Sequence, residues 1–248
     1  MIPKGIIQVM QEFIQTTYSL LGIELSKTQI DALTYYENEL INWNKKFNLT
    51  TIKDPEKIRI KHFLDSFTCS LEFNNNYCDS IIDVGTGAGF PGIPLKIVYP
   101  KIKLTLVESV GKKVEFCKHV IHKIGLNNVD VIHSRAETLG QNPEYRQKFR
   151  CAVSRAVAVM PTLVEYILPL LVVNGVMIAM KGPDAPAEAH EAEYATSLLG
   201  GHLRKLRRIT LPGVAEDRYL VVIDKVAATP EKYPRRIGIP RKRPLKTG

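Results

Sequence analysis

An apolar strand that ends on an acid and runs straight into closely spaced glycines has few ways to fold, and residues 81–94, IIDVGTGAGFPGIP, are such a run. The strand ends at Asp83-Val84. Gly85, Gly87 and Gly89 then allow a tight turn and let the backbone approach a ligand with no side chain in the way. A helix is expected near Gly92, its N-terminal amides facing that ligand. Gly87, Gly89 and Gly92 satisfy Gly-x-Gly-x-x-Gly, and Glu108 follows about 20 residues later, where a second strand should end and a carboxylate binds ribose hydroxyls. This pattern leaves a nicotinamide dehydrogenase and an S-adenosylmethionine enzyme both open. A P-loop is excluded, because Ile93-Pro94 stand where Lys-Ser/Thr is required.

The flanking sequence supplies the context. Apolar residues at Ile6, Val9, Met10, Phe13, Ile14 and Leu21 have helical spacing. Ser26 with Gln29 forms a capping box for a second helix carrying Leu33, Leu40 and Trp43, and Asp54-Pro55 should start a third with Ile58, Phe63, Leu64 and Phe67. After the polar run Asn74-Asn75-Asn76, β-type runs at 80–84, 103–108, 129–133, 151–154 and 175–181 alternate with helical segments, as in a parallel sheet covered by helices. Two more runs, 206–211 and 219–226, have no room for a crossover helix between them and must pair antiparallel. The expected plan is a helical extension over 1–72, an α/β domain over 73–228 whose seven-strand sheet closes with an antiparallel hairpin, and an extended basic, proline-rich tail over 229–248.

Three features favour the methyl donor over a dinucleotide. Asp83 lies inside the strand end, where an acid suits a cationic methionine better than a pyrophosphate. Pro91 and Pro94 crowd a first helical turn in which a pyrophosphate needs free N–H groups. The closing hairpin matches the Rossmann-like S-adenosylmethionine-dependent methyltransferases, whereas classical dehydrogenase domains end on parallel strands. The fourth strand, Cys151 to Arg155, carries neither the Asn/Asp-Pro-Pro-Tyr/Phe motif of adenine-N6 methylases nor the Pro-Cys of cytosine-C5 methylases. Cys151 is at the wrong end of the strand for a nucleophile, while Arg155 is at the carboxyl edge. Guanine N7 already presents an in-plane lone pair, so its methylation needs positioning and desolvation but no general base.

The sequence resembles the bacterial small-subunit ribosomal RNA guanine-N7 methyltransferases, the glucose-inhibited division protein B family. The resemblance rests on Asn42-Trp43-Asn44, Asn48-Leu49-Thr50, His62 with Asp65-Ser66, Asp83 to Leu95, Arg135-Ala136-Glu137, Ser154-Arg155-Ala156, Lys181-Gly182, Arg218-Tyr219 and the tail from Tyr233-Pro234-Arg235-Arg236 to Leu245. Lys61 and Phe67 depart from the family's usual Arg and Leu. The resemblance implies transfer of a methyl group from S-adenosylmethionine to N7 of a guanine in 16S ribosomal RNA. It gives Gly85, Gly87, Gly89 and Phe90 to the methionine and ribose side of the cofactor, Glu108 to the ribose and Ala136-Glu137 to the adenine. Asp83 belongs to the same cofactor set. Arg155 would lie beside both cofactor and target base, contacting the cofactor, and with Lys181 beside the cleft would form the catalytic pair.

Charge adds a partner. Residues 1–200 hold 21 basic and 21 acidic residues, whereas the last 48 hold 13 and 4, which accounts for the whole net charge of +9. Arg204, Arg207, Arg218, Arg235, Arg236 and Lys242 are therefore candidates for binding RNA or the small ribosomal subunit, with no role for DNA or a membrane. No Cys-x-x-Cys pair is present, and His119 with His122 lacks a third ligand at metal spacing, so no metal is expected. No secretory signal or membrane span is legible, and a cytoplasmic monomer is expected. A non-catalytic RNA-binding protein on the same fold has no need for the glycine turn, Glu108 and Arg155 together.

Overall fold

The computed structural model describes residues 4–73 and 78–246, with side chains from residue 10 onward. The side chains of Ile6 and Val9 on the first helical face, the Asn74-Asn75-Asn76 run and the final two residues lie outside the described set. Strands β1 (Ser80–Val84), β2 (Lys103–Glu108), β3 (Val129–His133), β4 (Phe149–Arg155), β5 (Leu171–Lys181), β6 (Gly201–Ile209) and β7 (Arg218–Lys225) form one sheet in the order β3-β2-β1-β4-β5-β7-β6. The first five are mutually parallel, and β7 pairs antiparallel with both β5 and β6. Chain direction across the sheet reverses between β1 and β4, so a crevice opens beyond their carboxyl ends.

Four strands differ from expectation in their bounds. β4 begins two residues early at Phe149, through a register shift between Phe149 and Cys151, β5 begins at Leu171, and β7 spans one position earlier at each end. β6 starts at Gly201 rather than Leu206 because it is an edge strand whose exposed positions carry charge, so its apolar alternation is weak.

Helices α1 (Lys4–Leu21) and α2 (Lys27–Phe47) precede a broken helical stretch: α3 (Pro55–Ile58), a π-helical turn (Arg59–Leu64), α4 (Asp65–Phe67) and a 3₁₀ turn (Thr68–Glu72). Asp54 caps α3 by accepting from Lys57 N–H at 2.9 Å. The Ser26–Gln29 capping box is present, and Gln29 Nε2 also donates to the carbonyls of Ile97 and Val98 at 3.0 and 2.9 Å. That side chain ties α2 to the end of α5 (Gly92–Val98), the helix that follows the glycine turn. Glu37 of α2 and Arg59 form a buried bidentate pair at 2.7 and 2.8 Å.

Residues alternate across β1. Ile81 joins an apolar cluster with Leu33, Tyr36, Phe63 and Phe116 of α6 (Gly111–Ile124), while Ile82 and Val84 join a second with Met160, Leu163 and Tyr166 of α8 (Met160–Ile167). The first helices therefore share a core with the sheet. Beyond α8, α9 (Ala185–Glu191) and α10 (Glu193–Leu198) cover the second face. No helix among the described residues is long and apolar enough to cross a membrane.

The chain after β7 differs from the extended tail expected of it. It lies as a strap across α7 (Ala136–Gln141) and α8 and contains one short helix, α11 (Ile239–Lys242). A proline-rich segment keeps its carbonyls but lacks N–H donors, and Arg146 supplies them from outside. Its Nη1 donates to Gly140 and Tyr233 at 2.9 and 2.6 Å, and its Nη2 to Thr229 and Pro230 at 2.8 and 3.2 Å. Replacing Glu37 with Leu strands the Arg59 guanidinium in the core and should cost about 3–5 kcal/mol, read as a fall in the chemical-denaturation midpoint. Arg146→Ala should instead leave the sheet intact and open the strap to limited proteolysis near residues 229–236.

Candidate active site

The glycine turn occupies the crevice between β1 and β4. Gly85, Gly87 and Gly89 all take positive φ, at 73, 62 and 98°, but their surroundings differ. A Cβ on Gly85 would meet Val157 Cγ2 at 2.4 Å, and one on Gly89 would meet Ile93 Cδ1 at 2.5 Å and the Tyr36 hydroxyl at 2.6 Å, whereas one on Gly87 would meet nothing within 4 Å. Gly85 and Gly89 are thus required by packing within the protein, and Gly87 is the point where the backbone faces open space.

Asp83 organises the turn from below. It is wholly buried, and its Oδ2 accepts from the Thr86 hydroxyl at 2.6 Å and from Gly92 N–H at 2.8 Å. The first amide of α5 is therefore committed to Asp83, and Ile93 N–H to the Gly89 carbonyl at 2.8 Å. This corrects the expectation that these amides face a ligand: the acid that precedes the glycines caps the helix that follows them. Asp83 Oδ1 is buried with no partner among the described residues, and burial pushes the carboxyl up to about 7 against its two hydrogen bonds.

Glu108, at the end of β2, reaches across to the turn. Its Oε2 accepts from Gly87 N–H at 2.9 Å, and its Oε1 from Ser109 and Val110 N–H at 2.7 and 2.8 Å. Val84, Gly85, Val107, Ser134, Ala136 and Val157 line a cleft beside it of about 80 Å³. Small-molecule sites usually span ~300 Å³ or more, and Val157, packed over Gly85, is one of the side chains that narrow this cleft. Val157 follows Ala156, which holds a positive φ of 56°, a strained conformation for a residue with a Cβ. Glu137 also borders the cleft, but its Oε1 accepts from Gly238 N–H of the strap at 2.9 Å.

Arg155, at the end of β4, is gripped by the π-helical turn and α4. Its Nη1 donates to the Lys61 carbonyl at 3.0 Å and to Asp65 Oδ2 at 2.9 Å, and its Nη2 donates to His62 Nδ1 at 3.0 Å. A guanidinium only donates, so His62 Nδ1 accepts and the ring proton is on Nε2, directed at Thr50 Oγ1 at 2.9 Å. His62 and Asp65, spaced as a simple helical pair, each bond Arg155 instead. Burial and the facing Arg155 push the imidazolium down to about 3. The His62 ring stacks on Phe90 at 4.4 Å, Phe90 stacks on Tyr36 at 5.2 Å, and the Tyr36 hydroxyl donates to the Ala88 carbonyl. The Arg155 guanidinium lies 5.1 Å from the Phe90 centroid.

Lys181 Nζ contacts Glu188 Oε2 at 2.6 Å and donates to the Ala158 carbonyl at 2.8 Å, which fixes the loop carrying Val157. Among the basic candidates, Arg204 pairs with Asp224 at 3.3 Å, Arg207 with Glu72, and Arg235 with the buried Glu165 at 2.6 Å. Arg218 has a buried Nε without a partner among the described residues. Arg236 and Lys242 are exposed, and no ion pair involving them is present among the described residues. All four cysteines are buried free thiols, and no described cluster of His, Cys, Asp and Glu could hold a metal. Tyr36 and Val157 were missed by sequence reasoning: Tyr36 sits on an ordinary helical core position, and no local pattern marks Val157.

A family model described as rRNA small subunit methyltransferase G matches residues 29–212. A ribosomal RNA small subunit methyltransferase G from Lactobacillus johnsonii is 44% identical over 226 residues, covering 90% of this chain and 95% of its own length. The protein of the same name from Desulforamulus reducens is 47% identical over 226 residues, with 91% and 94% covered. The crystal structure of a SAM-dependent methyltransferase from Aquifex aeolicus superposes with a TM-score of 0.53 at 17% identity, covering 71% of this chain and 96% of that one, a likeness of fold.

Gly89→Ala should destabilise more than Gly87→Ala, whose cost is limited to about 1–2 kcal/mol for the left-handed backbone; equal thermal midpoints would contradict the packing difference. His62 contributes stability above its ordinary value near 6.5, and this is lost as pH falls toward about 3. Imidazole nitrogen resonances should accordingly report a neutral Nε2–H ring at pH 5, where a midpoint near 6.5 would refute the Arg155 arrangement.

Proposed function

The chain belongs to the rRNA small subunit methyltransferase G family, and from that premise we propose that it transfers a methyl group from S-adenosylmethionine to N7 of a specific guanine in 16S ribosomal RNA. The observation that carries this reading is the crevice at the β1–β4 switch, where Gly87 faces open space beside the Glu108 carboxylate and Arg155 is fixed at the strand end.

The residues present suit that cofactor. Asp83 offers a buried, unpartnered carboxylate oxygen beneath the glycine turn, matched to a cationic ligand end. Glu108 has a lone-pair direction left beyond its three amide donors, for a ribose hydroxyl. Ala136 and Glu137 stand on the adenine side, and Gly85, Gly87, Gly89 and Phe90 form the wall toward ribose and methionine. The consumed amides of α5 count against a pyrophosphate. When bound, S-adenosylmethionine supplies an electrophilic methyl group on a sulfonium.

The protein's own part is positioning. Both nitrogens of His62 are committed, so it is no base, and guanine N7 requires none. Three of the five Arg155 N–H groups are spent on Lys61, His62 and Asp65, leaving two for guanine O6 or a phosphate without covering N7. Asp65 also offsets the guanidinium charge next to a base that becomes cationic on methylation. Lys181 acts through the Ala158 loop as a positioning residue. Arg218, Arg236 and Lys242 are the cations best placed to meet RNA backbone, whereas Arg204, Arg207 and Arg235 would have to exchange intramolecular partners. We place the protein in the cytoplasm as a monomer acting on the small ribosomal subunit or its RNA.

Tritiated methyl transfer to small subunits from a strain lacking the enzyme, followed by mapping of the modified base, tests the assignment; label on any atom but guanine N7 would refute it. Arg155→Ala should slow single-turnover transfer by about a hundredfold through loss of orientation. Because protonated Asp83 no longer attracts a cation, affinity for S-adenosylmethionine measured by calorimetry should fall as pH drops through about 7. A flat profile between pH 6 and 8 would exclude Asp83 from that role.

A further inference from the structure

The strap does more than lie across α7: together they enclose a groove of about 550 Å³, separate from the cofactor cleft but sharing Glu137 with it. Pro234 and Ile237 supply apolar walls, Thr138 stands on the α7 side, and Lys232 and Arg236 also line it. Ile237 is 60% exposed, a large apolar side chain held open to solvent beside exposed cations. Successive arginines divide their roles. Arg235 turns inward, donating from its backbone N–H and from Nε to Glu165 at 2.8 and 2.9 Å, while Arg236 points out and has no ion-pair partner among the described residues. Lys232 is likewise exposed, its Nζ 5.4 Å from the Tyr233 centroid.

Apolar walls with cations alongside match one chemistry well, an unstacked base with a phosphate on either side. We propose that this groove binds a single-stranded nucleotide of the ribosomal RNA that flanks the target guanine, with its base against Ile237 and Pro234 and its phosphates on Lys232 and Arg236. The volume falls within the range of sites that take a ligand of this size. Glu137 places the groove beside the adenine side of the cofactor cleft: its Oε1 holds Gly238 N–H at 2.9 Å on the strap side, and the same residue borders the cleft. A nucleotide in the groove is then one wall away from the cofactor cleft. This inference rests on the proposed RNA substrate and adds a second contact point to it.

The test uses the full chain, S-adenosylmethionine and small subunits lacking the modification. A Lys232→Ala/Arg236→Ala double variant and an Ile237→Ala variant should keep cofactor affinity and thermal midpoint, since all three side chains are exposed. The double variant should raise KM for subunits about tenfold and reduce the slope of log affinity against log salt by about 1.4, two single-strand phosphate contacts. A photoreactive side chain at position 237 should crosslink to 16S RNA beside the target. Wild-type KM and salt slope in the double variant, or crosslinking to a ribosomal protein, would overturn the groove assignment while transfer by the wild type leaves the substrate reading standing. Failure of the wild type to methylate RNA would overturn both.

Discussion

Tyr36 holds the site together. Its ring, wholly buried, stacks on Phe90, and its hydroxyl donates to the Ala88 carbonyl, so one side chain of α2 contacts the glycine turn through dispersion and through a hydrogen bond. A turn containing three positive-φ glycines has little intrinsic rigidity. Packing by Tyr36, together with Asp83 below and Glu108 at the side, substitutes for the stiffness that its sequence lacks. The remaining contacts build outward from that pin: His62 on Phe90, Arg155 on His62 and Asp65, and the Val157 loop over Gly85.

The first helices are consequently part of the site. They bury Leu33, Tyr36 and Phe63 in the same cluster as Ile81, and among the described residues they deliver every hydrogen-bond acceptor of the Arg155 guanidinium. The π-helical turn at Arg59–Leu64 is where this happens. By widening the helix it changes which residues share a face, sending Arg59 to Glu37 and His62 to Arg155. Pairing of His62 with Asp65, the relation that their spacing suggests, gives way to a shared partner from a strand 90 residues on.

Charge is organised by the same distinction between local pattern and tertiary partner. The basic run of β6 reads as an RNA-binding stripe, yet Glu72, Asp217 and Asp224 neutralise much of it, as suits an edge strand that must resist pairing with other chains. In the strap, Arg235 is spent on Glu165 while Arg236, Arg241, Lys242 and Arg243 remain exposed. The surplus left without an intramolecular ion pair among the described residues is therefore concentrated further toward the end of the chain than the count of basic residues alone indicates.

Much of the fold was legible in advance because its signals are local. β1, β2 and β3 begin and end where their apolar runs meet turn residues, the Ser26–Gln29 box acts within one helical turn, and the glycine turn announces itself by spacing. Glu108 was identifiable because strand lengths bring it to the same edge. The destinations of side chains were not legible, since they depend on long-range partners: Asp83 capping α5, Arg155 held by residues 90 to 94 positions away, and Arg146 gathering the strap's carbonyls. By itself the sequence determined which backbone conformations and which relative strand directions were available. Only the tertiary structure decided which charges are spent inside and which face outward, because a buried ion must find its partner wherever the fold brings one within hydrogen-bond reach.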